Sequence, residues 1–253
     1  MPATKPTAFV VFTSPRTGSS WLIDLLNSHP RIAAYAELFL PGDRSTPDYG
    51  SQDLPRFEAA LTPRWRITRV PARLGYLRRV FAARDGVCAA GFKLMYGHPE
   101  VHRGLLADLA VRRTRAVHLV RENALEQVVS WETSVARGQF RAHSSEQVAE
   151  LSVRLDTTTL TKRLAESQLR VEHARKILRR YRLPSLEVTY ERLRQEPTGE
   201  LGRIATFLDV EPREWAPSSS LVVMNARAWR NTVDNAAGVE GTLAGTPFAW
   251  MLG

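Results

Sequence analysis

A chain of 253 residues, 43% of them hydrophobic, is long enough to bury one sizeable α/β core and too short for two comfortable ones. The single cysteine, Cys88, excludes an internal disulfide and suits an intracellular, cytoplasmic protein. No apolar run approaches membrane-spanning length and Met1–Thr7 lacks the apolar stretch of a signal peptide, so neither a span nor secretion is expected. The net charge of +9 is carried mostly by arginine, spread along the chain and not gathered into an arm. Without zinc-ligand spacing or a helix-turn-helix pattern, nucleic acid is not the expected partner. A basic cleft for a small polyanion explains the charge equally well, and so does a compositional bias.

Ala8–Thr13 is a short β-branched, apolar run, the composition of a strand buried on both faces. Ser14–Ser20 gathers Ser, Pro, Arg, Thr and Gly into a turn, and Trp21, Leu22, Leu25 and Leu26 then fall on one helix face until Asn27-Ser28-His29-Pro30 stops it. A strand, a small-residue loop and a helix in this order aim backbone N–H groups and a helix dipole at an anion. Arg16 adds a fixed positive fork at the mouth of the loop. The loop is not a Walker A sequence, because it has one glycine and no Gly-Lys-Ser/Thr ending. An ordinary serine-capped turn fits the same residues.

Arg31–Leu38 reads as a second strand with Glu37 near its carboxyl end, where open α/β sheets place their chemistry, although a solvated or arginine-paired carboxylate fits that position too. Pro55–Arg84 mixes aromatics with arginines and is expected to form one or two short helices, a lid or acceptor-side wall. Cys88–Tyr96 reads as a buried strand. Its Lys93 is expected to reach out at the strand end unless an anion meets it inside. Gly97-His98-Pro99 reads as a turn, Pro99–Arg113 as a helix and Arg115–Arg121 as a strand ending in arginine. Glu122–Arg137 is a helix with Ser130 and Trp131 about two turns in, and Asp156–Arg182 a long basic helix with a solvated face. Ser185–Tyr190 is the last strand, Gly199–Leu208 a short helix, and Pro212–Gly253 an irregular tail. This alternation implies an α/β fold: a single domain over residues 1–253 with a mostly parallel central sheet flanked by helices. The first loop, Glu37, Lys93, Arg121 and Tyr190 then converge on the rim at the carboxyl ends of the strands.

Arg16-Thr17-Gly18-Ser19-Ser20-Trp21 resembles the 5′-phosphosulfate loop of sulfotransferases that use 3′-phosphoadenosine 5′-phosphosulfate (PAPS), a P-loop relative written as a basic residue, any residue, Gly, two hydroxyl residues and often Trp. Val117–Ser130 resembles the 3′-phosphate motif of the same family, an arginine closing a strand and a serine on the next helix. The serine stands one residue farther from the arginine than in many animal enzymes. That spacing and the run Ser130-Trp131…Ala136-Arg137-Gly138-Gln139-Phe140 look most like the bacterial trehalose 2-sulfotransferase branch. Gly91–Met95 and Val188–Leu193 match further patterns of the superfamily. The Gly-Asp-Trp-Lys signature of the animal enzymes is missing from the C-terminus, where Asn225–Asn231 is a candidate substitute carrying Arg227 and Arg230.

The resemblance implies PAPS as sulfuryl donor, no metal, and in-line transfer to a hydroxyl of a small molecule or sugar. Arg16, Thr17, Gly18, Ser19, Ser20 and Trp21 would hold the donor with Arg121, Ser130 and Tyr190, and Arg16 would also act on the transferred group. Glu37 takes the place of the branch's general base, with His98 the rival because animal enzymes use histidine. A homodimer is left open. Other classes are a P-loop-like nucleotide kinase, lacking its lysine and acidic magnesium site, a basic nucleotide- or nucleic-acid-binding protein, and a sulfotransferase fold without catalysis.

Overall fold

The computed structural model describes residues 5–40, 54, 56–57, 69–138, 151–211, 215–219 and 228–253. Five strands form one sheet in the order β2-β3-β1-β4-β5, and every neighbouring pair is parallel. They are β1 (Thr7–Thr13), β2 (Ile32–Tyr35), β3 (Ala89–Met95), β4 (Arg115–Val120) and β5 (Ser185–Thr189). Parallel pairing demands a crossover between strands, and helices supply it, so both faces of the sheet are covered. The run FVVF of β1 therefore alternates between two cores and is apolar throughout. Val10 and Phe12 face one cluster with Phe92, Leu94, Leu105 and Leu178, while Phe9 and Val11 face the other with Leu22, Leu26, Val117 and Ile204.

The helices that matter for the rim are α1 (Ser19–Asn27), α5 (Ala124–Arg137) and α7 (Tyr190–Gln195), following β1 after a five-residue loop, β4 after a three-residue turn and β5 directly. On the first face lie α2 (Arg69–Val80), α4 (Leu105–Val111) and the second half of α6 (Thr157–Arg180). The helix α8 (Pro197–Phe207) backs the second face. Asp156 caps α6 by accepting the Thr158 N–H, as a short acidic side chain does at a helix start. A chain of polar contacts ties α6 to the sheet. Tyr96 Oη lies 2.7 Å from His118 Nε2, His118 Nδ1 lies 3.0 Å from Glu187, and Arg175 donates to both Glu187 oxygens. Burial pushes the His118 pKa down, and with a partner on each ring nitrogen the neutral imidazole is satisfied in place.

Two expectations are corrected. The helix read over 99–113 is two pieces, α3 (His98–Val101) and α4, because Gly104 leaves the helical region at φ 85°. The tail, irregular over residues 215–219, is not irregular from Trp229 onward. A 3-10 turn (Trp229–Asn231), α9 (Ala236–Leu243) and a second 3-10 turn (Ala249–Leu252) pack Trp229, Val239, Leu243 and Met251 against Leu125 and Val129 of α5 and Leu160 and Leu164 of α6. Asn123 reinforces this contact by donating to the Met251 carbonyl at 3.0 Å. Residues 55 and 58–68 of the expected lid over Pro55–Arg84 lie outside the described residues; α2 is its described helix.

Gly91 of β3 sits opposite Phe9 in the register. A Cβ there would fall inside contact distance of the Phe9 carbonyl oxygen and ring. Because backbone cannot step aside cheaply, Gly91→Ala is expected to destabilise the fold by about 1–3 kcal/mol. Urea denaturation measures it, and an unchanged midpoint would contradict this account of the β1–β3 contact.

Candidate active site

The carboxyl ends of β1, β3, β4 and β5 and the residues just past β2 meet on one rim. After β1 the chain turns at Arg16, whose φ of 64° is unusual for a side-chain-bearing residue, and again at Gly18 with φ 78°. Gly18 is required twice over. Its backbone is left-handed, and a Cβ there would lie 2.6 Å from the Tyr190 ring. The loop is braced from below, where Thr13 Oγ1 donates to the Leu119 carbonyl at 2.8 Å and lies 2.6 Å from Thr17 Oγ1. Thr17 in turn donates to the Ser14 carbonyl, so its hydroxyl is held inside the loop. Helix α1 starts with no side-chain cap and no acidic residue in its first turn, which leaves its N-terminal N–H groups to an anion.

Arg16 joins this loop to the segment after β4. Its Nε donates to Ser130 Oγ at 3.0 Å, and its carbonyl oxygen accepts from Arg121 at 3.3 Å. Arg121 also donates to Glu126 at 2.5 Å and lies over the Tyr190 ring at 4.5 Å. Its Nε is buried and has no hydrogen-bond partner among the described residues. An orphaned guanidinium N–H beside an uncapped helix start suits an anionic ligand. Trp21 meets Tyr190 edge-on with centroids 6.3 Å apart. Behind these groups, the Glu191 carboxylate accepts the N–H groups of Glu122 and Asn123 at 3.2 and 3.1 Å, fixing the turn that carries Arg121.

Glu37 lies across the rim and is buried, as are Lys93 and His98. Lys93 does not reach out at the strand end, as its side chain was expected to do. Its Nζ lies 2.8 Å from Glu37 Oε1 and donates to Ser20 Oγ at 3.2 Å. The carboxylate is the anion that lets a lysine stay inside, and removing either partner of such a pair costs about 3–5 kcal/mol. His98 Nε2 lies 3.8 Å from the other Glu37 oxygen. His98 Nδ1 accepts the Met95 N–H at 3.3 Å, which leaves the ring proton of the neutral imidazole on Nε2, facing Glu37. A histidine held this way has no lone pair to offer on that side.

The candidate donor and base residues thus lie on this rim, in two groups. Arg16, Arg121, Ser130, Tyr190 and Trp21 are linked on one side of the loop, and Glu37, Lys93, His98 and Ser20 on the other. Arg230 is elsewhere, paired with Glu240 at 2.6 Å and stacked on Trp229, and Arg227 lies outside the described residues. The contacts of Lys93, Glu126 and Glu191 were not apparent in the sequence, because those of Lys93 and Glu191 are brought by a different strand and that of Glu126 by the turn between β4 and α5.

Burial pushes the His98 pKa down from 6.5 to about 4, against the attraction of Glu37. Above pH 6.5 the ring is neutral folded or unfolded, and its contribution is fully present. As the pH falls towards 4 the unfolded chain takes up the proton first, so stability is lost, by about 3 kcal/mol for a shift of this size. Urea midpoints measured between these pH values should fall with acid, and His98→Asn should flatten that slope, His118 and the lowered carboxyl of Glu187 contributing to what remains. An unaltered slope would contradict the neutral, buried assignment.

Comparison with known proteins agrees with this geometry. The sequence model of the Sulfotransferase family matches residues 6–216. Nodulation protein H of Rhizobium tropici is 26% identical over 251 residues, an alignment covering 96% of this chain and 92% of that protein. The crystal structure of a sulfotransferase from Alicyclobacillus acidocaldarius has a similar fold, with a TM-score of 0.50, 16% identity and 87% of each chain covered. With its parallel sheet and a family match running from β1 past α8, the chain belongs to the Sulfotransferase family and is a sulfotransferase.

Proposed function

We propose that this sulfotransferase uses PAPS as donor and transfers the sulfuryl group to a hydroxyl of a small molecule or carbohydrate, with Glu37 as general base. The observation that carries the reading is the interlock of two distant segments through Arg16, whose side chain holds Ser130 and whose carbonyl holds Arg121. This contact supports reading the phosphosulfate loop and the 3′-phosphate motif as parts of one anion site. When bound, PAPS supplies an activated sulfuryl group on a good leaving phosphate.

The chain's own work is positioning and electrostatics, as in phosphoryl transfer. The N–H groups of Thr17–Ser20 and the hydroxyls of Ser19 and Ser20 would donate to the 5′ group, with Arg16 balancing charge as the bond to it breaks. The Arg121 guanidinium and Ser130 hydroxyl would donate to the 3′-phosphate, and Trp21 and Tyr190 would bound the nucleotide. Glu37 would take the acceptor's proton, and Lys93 keeps that carboxylate oriented while linking it to Ser20 of the donor loop. His98, with its proton facing Glu37, would orient the carboxylate and not act as the base.

Calorimetric titration with 3′-phosphoadenosine 5′-phosphate (PAP), AMP and ATP tests the donor assignment. PAP should bind best, and Arg121→Ala should weaken PAP about tenfold to a hundredfold while changing AMP little. Equal affinity for PAP and AMP in the unaltered protein would refute it. The base is tested by turnover. Glu37→Gln should lower it by about 10²–10⁴ with PAP affinity retained, and His98→Asn should keep most of it. A dead His98 variant beside an active Glu37 variant would reverse the assignment.

A further inference from the structure

We infer that Glu126 is a resident anion in the 3′-phosphate site, one that the nucleotide must compete with for Arg121, so that it weakens nucleotide binding and speeds nucleotide release. The inference rests on the PAPS reading above and concerns a residue to which that reading gives no task. Glu126 Oε2 accepts from Arg121 at 2.5 Å, and the Glu126 side chain is 35% exposed against 11% for the arginine. Its carboxylate therefore lies on the open side of the guanidinium, where an entering phosphate arrives.

Helix capping does not account for this placement. Glu126 is the third residue of α5, and Asn123 at the cap accepts its N–H at 3.1 Å. The carboxylate of a glutamate in that place ordinarily turns back to the cap residue's own N–H. Here the Asn123 N–H, with that of Glu122, is held by Glu191, and Glu126 is released to reach Arg121. Nor is Glu126 needed to orient the guanidinium. The Tyr190 ring lies beneath it and the Arg16 carbonyl takes its other terminal nitrogen, while Nε stays buried with no partner among the described residues. What the carboxylate adds is negative charge beside the place of a phosphate carrying about two more.

Two anions sharing one guanidinium repel each other at close range, and burial reduces the screening. Donor and nucleotide product share the 3′-phosphate, so the repulsion weakens both alike. That keeps the product from occupying the site after transfer, a step that often limits turnover.

The test is binding of PAP and AMP to the full chain and to Glu126→Gln, which keeps the shape and a hydrogen-bond acceptor. PAP should bind the variant about tenfold tighter, with a slower off-rate, and AMP should bind it unchanged. Glu126→Ala, which also removes the acceptor, should tighten PAP likewise, and unliganded melting curves establish that both variants are folded. Unchanged or weaker PAP binding in the folded variants would overturn the inference. Equal affinity of the unaltered protein for PAP and AMP would instead reject the donor reading on which it rests.

Discussion

The buried pair of Lys93 and Glu37 constrains the site more than any other contact. A lysine buried on a central strand has to find an anion, and Lys93 finds it in Glu37 at the rim. Glu37 can meet it only if β2 lies beside β3 and ends level with it, which the register Ile32↔Ala89 to Tyr35↔Phe92 provides. Lys93 also reaches Ser20, so the Glu37 carboxylate and the first turn of α1 cannot drift apart. The ion pair thus turns a requirement of burial into a fixed distance between two groups on the rim.

A second constraint holds the opposite side of the loop. Arg16 adopts a left-handed backbone, which carries its carbonyl to Arg121 while its side chain reaches Ser130. Such a conformation costs of order 1–3 kcal/mol in a side-chain-bearing residue and persists only when its surroundings over-determine it. Tyr190 against Gly18 and under Arg121, and Glu191 on the turn before α5, supply that determination from β5 and α7. The packing of the tail elements on α5 supports the same turn from behind. Four of the five strands therefore contribute to one short loop.

Much of this was legible in the sequence, and the reasons are local. The apolar run of β1, the small residues after it and the helix face of Trp21, Leu22, Leu25 and Leu26 are nearest-neighbour patterns, and so are the strands ending near Met95 and Val120. Arg16, Arg121 and Ser130 stand in recognisable motifs, and the strand ends alone place Arg16 and Arg121 on the rim. Three kinds of feature were hidden. The tail helix α9, AAGVEGTL, has too little polarity contrast and too many glycines to show a face. Helix α7 starts on the residue after β5, so its Tyr190 reads as the end of a strand. The partners of Lys93, Glu126 and Arg121 are set by strand order and loop geometry, and no local pattern records them.

The central claim is that one rim holds a PAPS-like donor and directs its sulfuryl group to an alcohol. The most direct measurement follows the sulfur itself. The protein is incubated with sulfur-labelled PAPS and a panel of sugars and small alcohols, and products are resolved by mass spectrometry. The account predicts a labelled sulfate ester on at least one hydroxyl acceptor, formed in step with PAP. Label appearing only as free sulfate, or phosphate carried from ATP to the same acceptors, would contradict it.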